Sequence, residues 1–230
     1  MTIAVIIPTL NEASTIARTL TRTVALGFDE IVVSDGGSTD PTIQMVQACC
    51  ARVSTVRLVT SPTGRARQLN EGVKSCRSDT VLFLHADTEL PPTAKSVIQS
   101  TLTDPRYIGG RFDVRFDQPS RWGAVISWCM NRRSRLTGIA TGDQAIFVRR
   151  QIFEQMGGFP DIPLMEDIEF SRRLKRRGPT AALTDRVTTS FRRWEKTGPF
   201  RTILLMWTLR FLYWLGVSPT RLNQWYRAVR

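Results

Sequence analysis

Acidic side chains recur in this chain where short apolar runs end. Pro8-Thr9-Leu10-Asn11-Glu12 follows the run at 3–7, Ser34-Asp35-Gly36-Gly37-Ser38-Thr39-Asp40 follows 31–33, and His85-Ala86-Asp87-Thr88 follows 81–84. Carboxylates gathered at a crevice of a basic chain suit two tasks. They accept hydrogen bonds from a nucleoside, and they hold a hard divalent cation, Mg²⁺ or Mn²⁺, which prefers oxygen ligands and a diphosphate. On this reading Asp35 binds a base or ribose and Asp87 binds the metal. An aspartate before two glycines also serves as an ordinary turn former, the competing use of Asp35. No G-x-G-x-x-G follows the first run and no Walker lysine loop occurs, so neither a nicotinamide site nor a P-loop is supported.

The elements that must present these loops can be read from periodicity. The runs at 3–7, 31–33, 56–59 and 81–84 are short, β-branched and bounded by turn formers, which predicts strands; the first and last lack polar alternation, as strands buried on both faces do. Between them, Ile16, Leu20 and Val24, then a stretch opened by Asp40-Pro41, then Ala66, Leu69, Val73 and Cys76 follow helical spacing. Asp40 is expected as the N-cap with Pro41 at N1. Strands alternating with helices imply right-handed βαβ units and a mostly parallel sheet flanked by helices, with ligands outside the carboxyl ends of the strands. Beyond Pro91-Pro92 a weakly alternating strand is expected at 107–116, a helix at 122–135, a short strand at 145–148 and an amphipathic helix at Glu166–Arg177. In that last helix Asp167 shares a face with Phe170, Ser171 and Leu174, while Glu166 lies about 100° away, so Asp167 is expected to point inward. The helix N-terminus favours its anion and burial raises its pKa, a combination suited to accepting a proton.

With 230 residues, 42% hydrophobic and 23% charged, the chain can build one sizeable core, which excludes disorder and a fusion of two enzymes. We expect one catalytic domain over 1–198, with a nucleotide-binding half at 1–104 and an acceptor half at 105–198, and a C-terminal amphipathic helical appendage at 199–230. Lysine and arginine number 32 against 20 acids, a net charge of +12 that favours anionic partners: nucleotides, nucleic acid or an acidic membrane. Cys49, Cys50, Cys76 and Cys129 lack metal-site spacing and no basic leader precedes the first run, so a reduced, cytoplasmic chain is expected. The apolar stretch at 203–217 contains Arg210 and is shorter than the roughly 20 residues needed to span a bilayer. Its aromatics, with Arg201, Arg210, Arg221, Arg227 and Arg230, suit an interfacial helix on the anionic inner face of a membrane; a homodimer contact or core packing would use the same Trp207 and Trp214. The basic runs at 132–135 and 172–177 would, as a rule, be solvated helix faces.

Taken jointly, Ile6-Ile7-Pro8-Thr9-Leu10-Asn11-Glu12, the stretch at 32–40, Gly64-Arg65-Ala66-Arg67-Gln68-Leu69-Asn70, the stretch at 84–88 and Met165-Glu166-Asp167 resemble the inverting family-2 glycosyltransferases with a GT-A nucleotide-sugar fold. The His-Ala-Asp-Thr and Gly142-Asp143-Gln144-Ala145 segments are similar to a bacterial subgroup named for its radical-SAM and selenodomain gene neighbours. The resemblance implies that Pro8, Thr9, Glu12 and Asp35 hold the nucleoside and that Arg67 lies near the base or phosphates. It also implies that Asp167 is the general base of a single inverting displacement on a nucleotide-diphosphate sugar, a UDP-sugar by family usage, with a hydroxyl acceptor. Asp87 matches the last acid of the family's Asp-x-Asp metal motif; His85, standing at the first acid, is a candidate ligand better suited to Mn²⁺ than to Mg²⁺. Glu166 falls in the acceptor or diphosphate site. Ser190-Phe191-Arg192-Arg193-Trp194 resembles the Gln-x-x-Arg-Trp element of processive members with serine for glutamine, so Arg193 and Trp194 are candidates for the same site. Two other readings compete. A nucleotidyltransferase making activated sugars would want a glycine-rich phosphate loop near the first strand, and a basic nucleic-acid-binding module would leave the acids at three strand ends unexplained.

Overall fold

The computed structural model describes residues 1–229, except the side chains of Arg193, Lys196, Thr197 and residues 227–229. The first elements alternate as the periodicity predicts: β1 (Ile3–Thr9), α1 (Ile16–Ala25), β2 (Glu30–Asp35), α2 (Thr42–Cys50), β3 (Val56–Thr60), α3 (Arg65–Lys74) and β4 (Thr80–Phe83). The chain continues through β5 (Thr88–Glu89), α4 (Ala94–Thr103), β6 (Gly109–Phe116), α5 (Arg121–Thr137), a 3₁₀ turn at Gly142–Gln144, β7 (Phe147–Arg149) and α6 (Arg150–Gln155). It ends with α7 (Glu166–Arg177), β8 (Thr180–Thr189), α8 (Arg192–Thr197), α9 (Pro199–Trp214) and α10 (Pro219–Val229).

All eight strands join one sheet in the order β3-β2-β1-β4-β7-β6-β8-β5. β3, β2, β1 and β4 run parallel, as does the β6–β8 pair; β4–β7, β7–β6 and β8–β5 are antiparallel. The sheet is thus parallel through β3, β2, β1 and β4 and mixed beyond. Successive residues of β1 point to opposite faces and both faces are covered. Ile3, Val5 and Ile7 join one apolar layer with Leu20, Val33 and Phe147; Ala4 and Ile6 join the other with Leu69, Val73, Phe83 and Phe170. α3 lies so close to β1 that a Cβ at Gly72 would sit 2.4 Å from Ile6 Cγ2, which only glycine avoids. On the same face Phe159 stacks on Phe170 with ring centroids 4.2 Å apart, and Phe83 meets Phe170 edge-on at 6.1 Å. Those contacts fix the direction in which α7 aims its N-terminus.

Several expectations shift. α2 starts at Thr42, one residue later than Asp40 as N-cap would give; Asp40 instead accepts hydrogen bonds from the Thr42 N–H (3.0 Å) and from the Ala13 N–H (3.1 Å), tying the loops after β1 and β2 together. β7 begins at Phe147 rather than 145 because Ala145 closes the preceding turn with φ +44°. α3 stops at Lys74, leaving Cys76 buried just beyond it. The strand β8 and the helix α4 carry no signal that periodicity picked out.

Candidate functional site

Because β2, β1 and β4 are adjacent and parallel, the loops leaving their carboxyl ends must lie side by side. Thr9 and Asp35 are paired in register at the ends of β1 and β2, and both are buried. The Asp35 carboxylate accepts from the Thr9 hydroxyl (3.0 Å), the Ser38 hydroxyl (2.6 Å) and the N–H groups of Gly37 (2.9 Å) and Ser38 (2.8 Å). It therefore shapes the 36–38 loop, the turn-forming use the sequence left open, and orders the rim beside Pro8. Gln68 reaches from α3 to the carbonyls of Thr9 (2.6 Å) and Ser34 (3.1 Å). Asn11, with φ +58°, accepts from the Thr39 N–H at 2.8 Å and clamps the two loops. Replacing Asp35 by alanine strands several of these donors. We expect a loss of about 1–3 kcal/mol of stability, read as a lowered urea midpoint, together with loss of nucleotide binding.

One strand over, Glu12 and Asp87 approach each other. Burial pushes the Glu12 carboxyl above its ordinary range; the Thr15 hydroxyl opposes this, and the negative charge of Asp87 adds to it. The same carboxyl feels Arg192, which also donates to Ser14 Oγ at 3.1 Å, so α8 closes one side of this group. Among the described residues Asp87 receives one long bond, from Thr88 Oγ1 (3.4 Å), which leaves most of its acceptor capacity open. His85 is held differently. Its Nδ1 lies 3.2 Å from Asp143 Oδ1, and a Cβ on Gly142 would sit 2.4 Å from its Nε2, so the ring is wedged against the 142–144 turn.

That turn meets the start of α7. The Gly142 N–H donates to Asp167 Oδ2 at 2.8 Å, and the Ile168 N–H to Oδ1 at 2.7 Å. Arg65, the first residue of α3, hydrogen-bonds Glu166 through Nε and places Nη2 3.5 Å from Asp167 Oδ2. Burial and the neighbouring Glu166 charge push the Asp167 carboxyl up, against the pull of Arg65 and the two N–H groups. Burial works against the Arg65 cation, but Glu166 and Asp167 outweigh it and hold the guanidinium charged. Arg133 completes the group: burial lowers its pKa while Asp167 and Asp143 raise it, and its Nη2 is buried without a hydrogen-bond partner among the described residues.

The wheel argument for α7 needs one correction. Asp167 does face inward, but Glu166 is buried more deeply, at 3% exposure, because Arg65 neutralises it from another helix. Arg67, expected near the phosphates, is an exposed side chain bonded through Nε to Asp161 (2.8 and 3.0 Å). Trp194 is half-buried among Phe116 and Phe191, stacked on the latter at 6.4 Å; the Arg193 side chain lies outside the described residues. Arg65, Asp143, Arg192 and Arg133 were given no role from sequence. Arg65 and Asp143 stand inside segments singled out there, but their partners are distant in the chain.

A cation fits this donor set in one way. Among the described residues no three His, Cys, Asp or Glu side chains converge as a cage. Mg²⁺ and Mn²⁺ commonly take one or two carboxylates and complete their shell with substrate phosphates and water, so the open Asp87 carboxylate suits a cation shared with a diphosphate.

An eight-stranded mixed sheet flanked by helices, with carboxylate-bearing loops at the carboxyl ends of β1, β2 and β4, defines a GT-A-like α/β protein. Residues 4–157 match the family model "Glycosyl transferase family 2", and the chain belongs to that family. The glycosyltransferase AglJ of Haloferax volcanii is 31% identical over 134 residues, 56% of this chain and 43% of AglJ. The poly-β-1,6-N-acetyl-D-glucosamine synthase of Staphylococcus aureus is 26% identical over 183 residues, 73% of this chain and 44% of the synthase. The chain thus spans less than half the length of these curated relatives. Among solved structures, the mannosyltransferase PcManGT of Pyrobaculum calidifontis, in complex with GDP-Man and Mn²⁺, superposes with a TM-score of 0.65 at 24% identity, covering 82% of this chain and 56% of that one. S. aureus TarS 1–349 superposes at 0.64 and 18%, covering 83% and 60%. These two likenesses establish the fold.

Proposed function

We propose that this chain is an inverting glycosyltransferase that moves a sugar from a nucleotide-diphosphate donor, a UDP-sugar by preference, to a hydroxyl acceptor with the help of Mn²⁺ or Mg²⁺. The observation that carries the reading is Asp167: a half-buried carboxylate with a raised pKa, oriented by two N–H groups and flanked by two arginines, beside the edge where β1, β2 and β4 end. Such a group takes a proton without being a strong nucleophile toward carbon. The acceptor hydroxyl gives its proton to Asp167 as its oxygen bonds to the anomeric carbon. The bond from that carbon to the diphosphate oxygen breaks on the opposite face, and the nucleoside diphosphate leaves with the bonding electrons. Asp87 would hold the divalent cation, which would supply charge neutralisation for the departing diphosphate. Pro8, Thr9, Glu12 and Asp35 frame the nucleoside, Asp35 by holding the 36–38 loop. Arg65 keeps Glu166 and Asp167 from repelling one another, and Arg133 offers a free donor to an anionic group beside them. His85 buttresses the 142–144 turn, and with its Nδ1 on Asp143 the nitrogen that would ligate the cation is Nε2, beside Gly142.

The catalytic unit on this reading spans 1–198, with 199–230 as an appendage that meets an anionic membrane at the cytoplasmic face. PcManGT was solved with GDP-Man and Mn²⁺, and TarS with UDP-GlcNAc, which supports the donor class and the cation. The His85–Thr88 and Gly142–Ala145 segments favour the radical-SAM and selenodomain-associated subgroup. A panel of nucleotide-diphosphate sugars, each with Mn²⁺, Mg²⁺ or EDTA, tests the proposal by thermal stabilisation and donor hydrolysis. We expect one sugar nucleotide to stabilise the protein only with a divalent cation; stabilisation by none of them, or equally by RNA, would falsify it.

A further inference from the structure

α5 and α9 each bury one side and leave a second apolar side open. On α9, Phe200, Leu204, Trp207, Phe211 and Trp214 recur at alternating offsets of four and three, so they share one face; Trp207 is 67% and Trp214 78% exposed. The opposite face, through Leu205, Leu209 and Leu212, packs with Met165 and Leu222. On α5, Trp122, Val125 and Trp128 form an outward stripe, Trp122 at 51% and Trp128 at 63% exposure, while Gly123, Ile126 and Ser127 turn inward. The two stripes leave one corner of the fold. α5 begins against Phe116, which a Cβ on Gly123 would meet at 3.5 Å, and Phe116 touches Phe191 (5.1 Å) and Trp194 (5.9 Å), from which α8 leads straight into α9.

Charge says what covers them. α5, α9 and α10 contain no aspartate or glutamate; arginine occurs four times in α5, twice in α9 and twice in α10, and in α5 Arg133 turns to Asp167 and Arg135 pairs with Asp113, leaving Arg121 and Arg132 to the outer surface. Arg132 sits over the Trp128 ring at 5.9 Å, and Arg121, Arg201 and Arg221 are exposed. A second copy seated on this surface would bring like charge against like, because a two-fold contact pairs the same patch with itself. Exposed tryptophans beside arginines, on helices that carry no acid of their own, fit the headgroup boundary of an anionic bilayer. No helix among the described residues is long and apolar enough to cross a membrane, so such helices lie along its surface.

We propose that α5 and α9 together form a docking surface for anionic lipid, with the aromatic stripes at the acyl boundary and the arginines on the headgroups. This deepens the membrane contact of the proposed function and rests on that reading only for its biological use. Met165, which shares an apolar cluster with Leu209 of α9 and Leu222 of α10, immediately precedes Glu166 and Asp167.

Flotation of the whole chain with phosphatidylcholine vesicles, with and without phosphatidylglycerol, tests it. Wild type should float with the anionic vesicles and be released by salt. Trp122→Ser with Trp128→Ser, and separately Trp207→Ser with Trp214→Ser, should each weaken binding about tenfold or more with unchanged circular dichroism and unchanged stabilisation by UDP and Mn²⁺. No binding by wild type, full binding by the α5 variant, or a solution dimer that either variant dissolves without any lipid binding would overturn the proposal. Since nucleotide binding is read separately, losing the lipid result leaves the transferase reading standing, and the converse also holds.

Discussion

Replacing Asp167 by asparagine should cut sugar transfer by about 10²–10⁴-fold, the usual worth of a positioned general base, while UDP affinity in Mn²⁺ stays near that of wild type. Asparagine keeps the shape but offers one oxygen where the Gly142 and Ile168 N–H groups each bond a separate carboxylate oxygen, and it cannot take a proton. The pH dependence carries the same signature. Burial and Glu166 raise the Asp167 pKa, so transfer should fall on the acid side as pH drops through a value above the ordinary carboxylate range, and the Asn variant should lack that limb. Stability runs the other way. A carboxyl whose pKa is raised on folding favours the fold while protonated and loses that contribution as pH rises through the raised value. At neutral pH the Asn variant escapes that charge cost but leaves one of the two N–H groups without its acceptor, a loss of about 1–3 kcal/mol, so it should stay folded and melt close to wild type. Rates across pH and melting curves of the two proteins check both statements; a variant that melts early and loses UDP binding marks Asp167 as a structural cap.

Replacing Asp87 by alanine should lower UDP affinity in Mn²⁺ by on the order of a hundredfold, about 2.7 kcal/mol, and abolish the difference between Mn²⁺ and EDTA. Asp87 is the carboxylate of the cluster with its acceptor capacity open, whereas Asp35 is committed to four donors and Glu166 to Arg65. Removing its charge should also let the Glu12 pKa fall, since Asp87 is one of the groups holding it up. Calorimetric titration of UDP with and without metal reads the first effect. Undiminished metal dependence in the variant moves the cation elsewhere.

Much of this was legible in the chain because the physics is local. A strand buried on both faces must be an uninterrupted apolar run, and 3–7 and 81–84 are such runs; parallel neighbours then put their trailing loops on one edge whatever the rest of the fold does. The α7 bounds followed from an acidic first turn, a basic last turn and an apolar stripe through Phe170 and Leu174. β8 was silent for the opposite reason. It pairs with β6 along most of its length, and its threonines and charges range from buried Thr189 to exposed Thr184 and Arg186, so no apolar period marks it. The site divides in the same way. Acids at strand ends announced themselves, but Arg65 meets Glu166 across 101 residues of sequence, and the wedge of His85 against Gly142 depends on a glycine chosen for a neighbour 57 positions away. Arg67 shows the reverse: a sequence segment singled out the right turn of α3, and the partner of its second arginine, Asp161, became visible only in three dimensions.

Whether the acidic loops share one ligand is decided by diffraction from crystals grown with UDP and Mn²⁺, with data collected at the manganese edge. The expected map has one anomalous peak bound to the Asp87 carboxylate, the diphosphate running from it toward Arg65 and the 142–144 turn, and the nucleoside against the Asp35 loop. An anomalous peak away from Asp87, or a nucleotide off the edge formed by β1, β2 and β4, would contradict it.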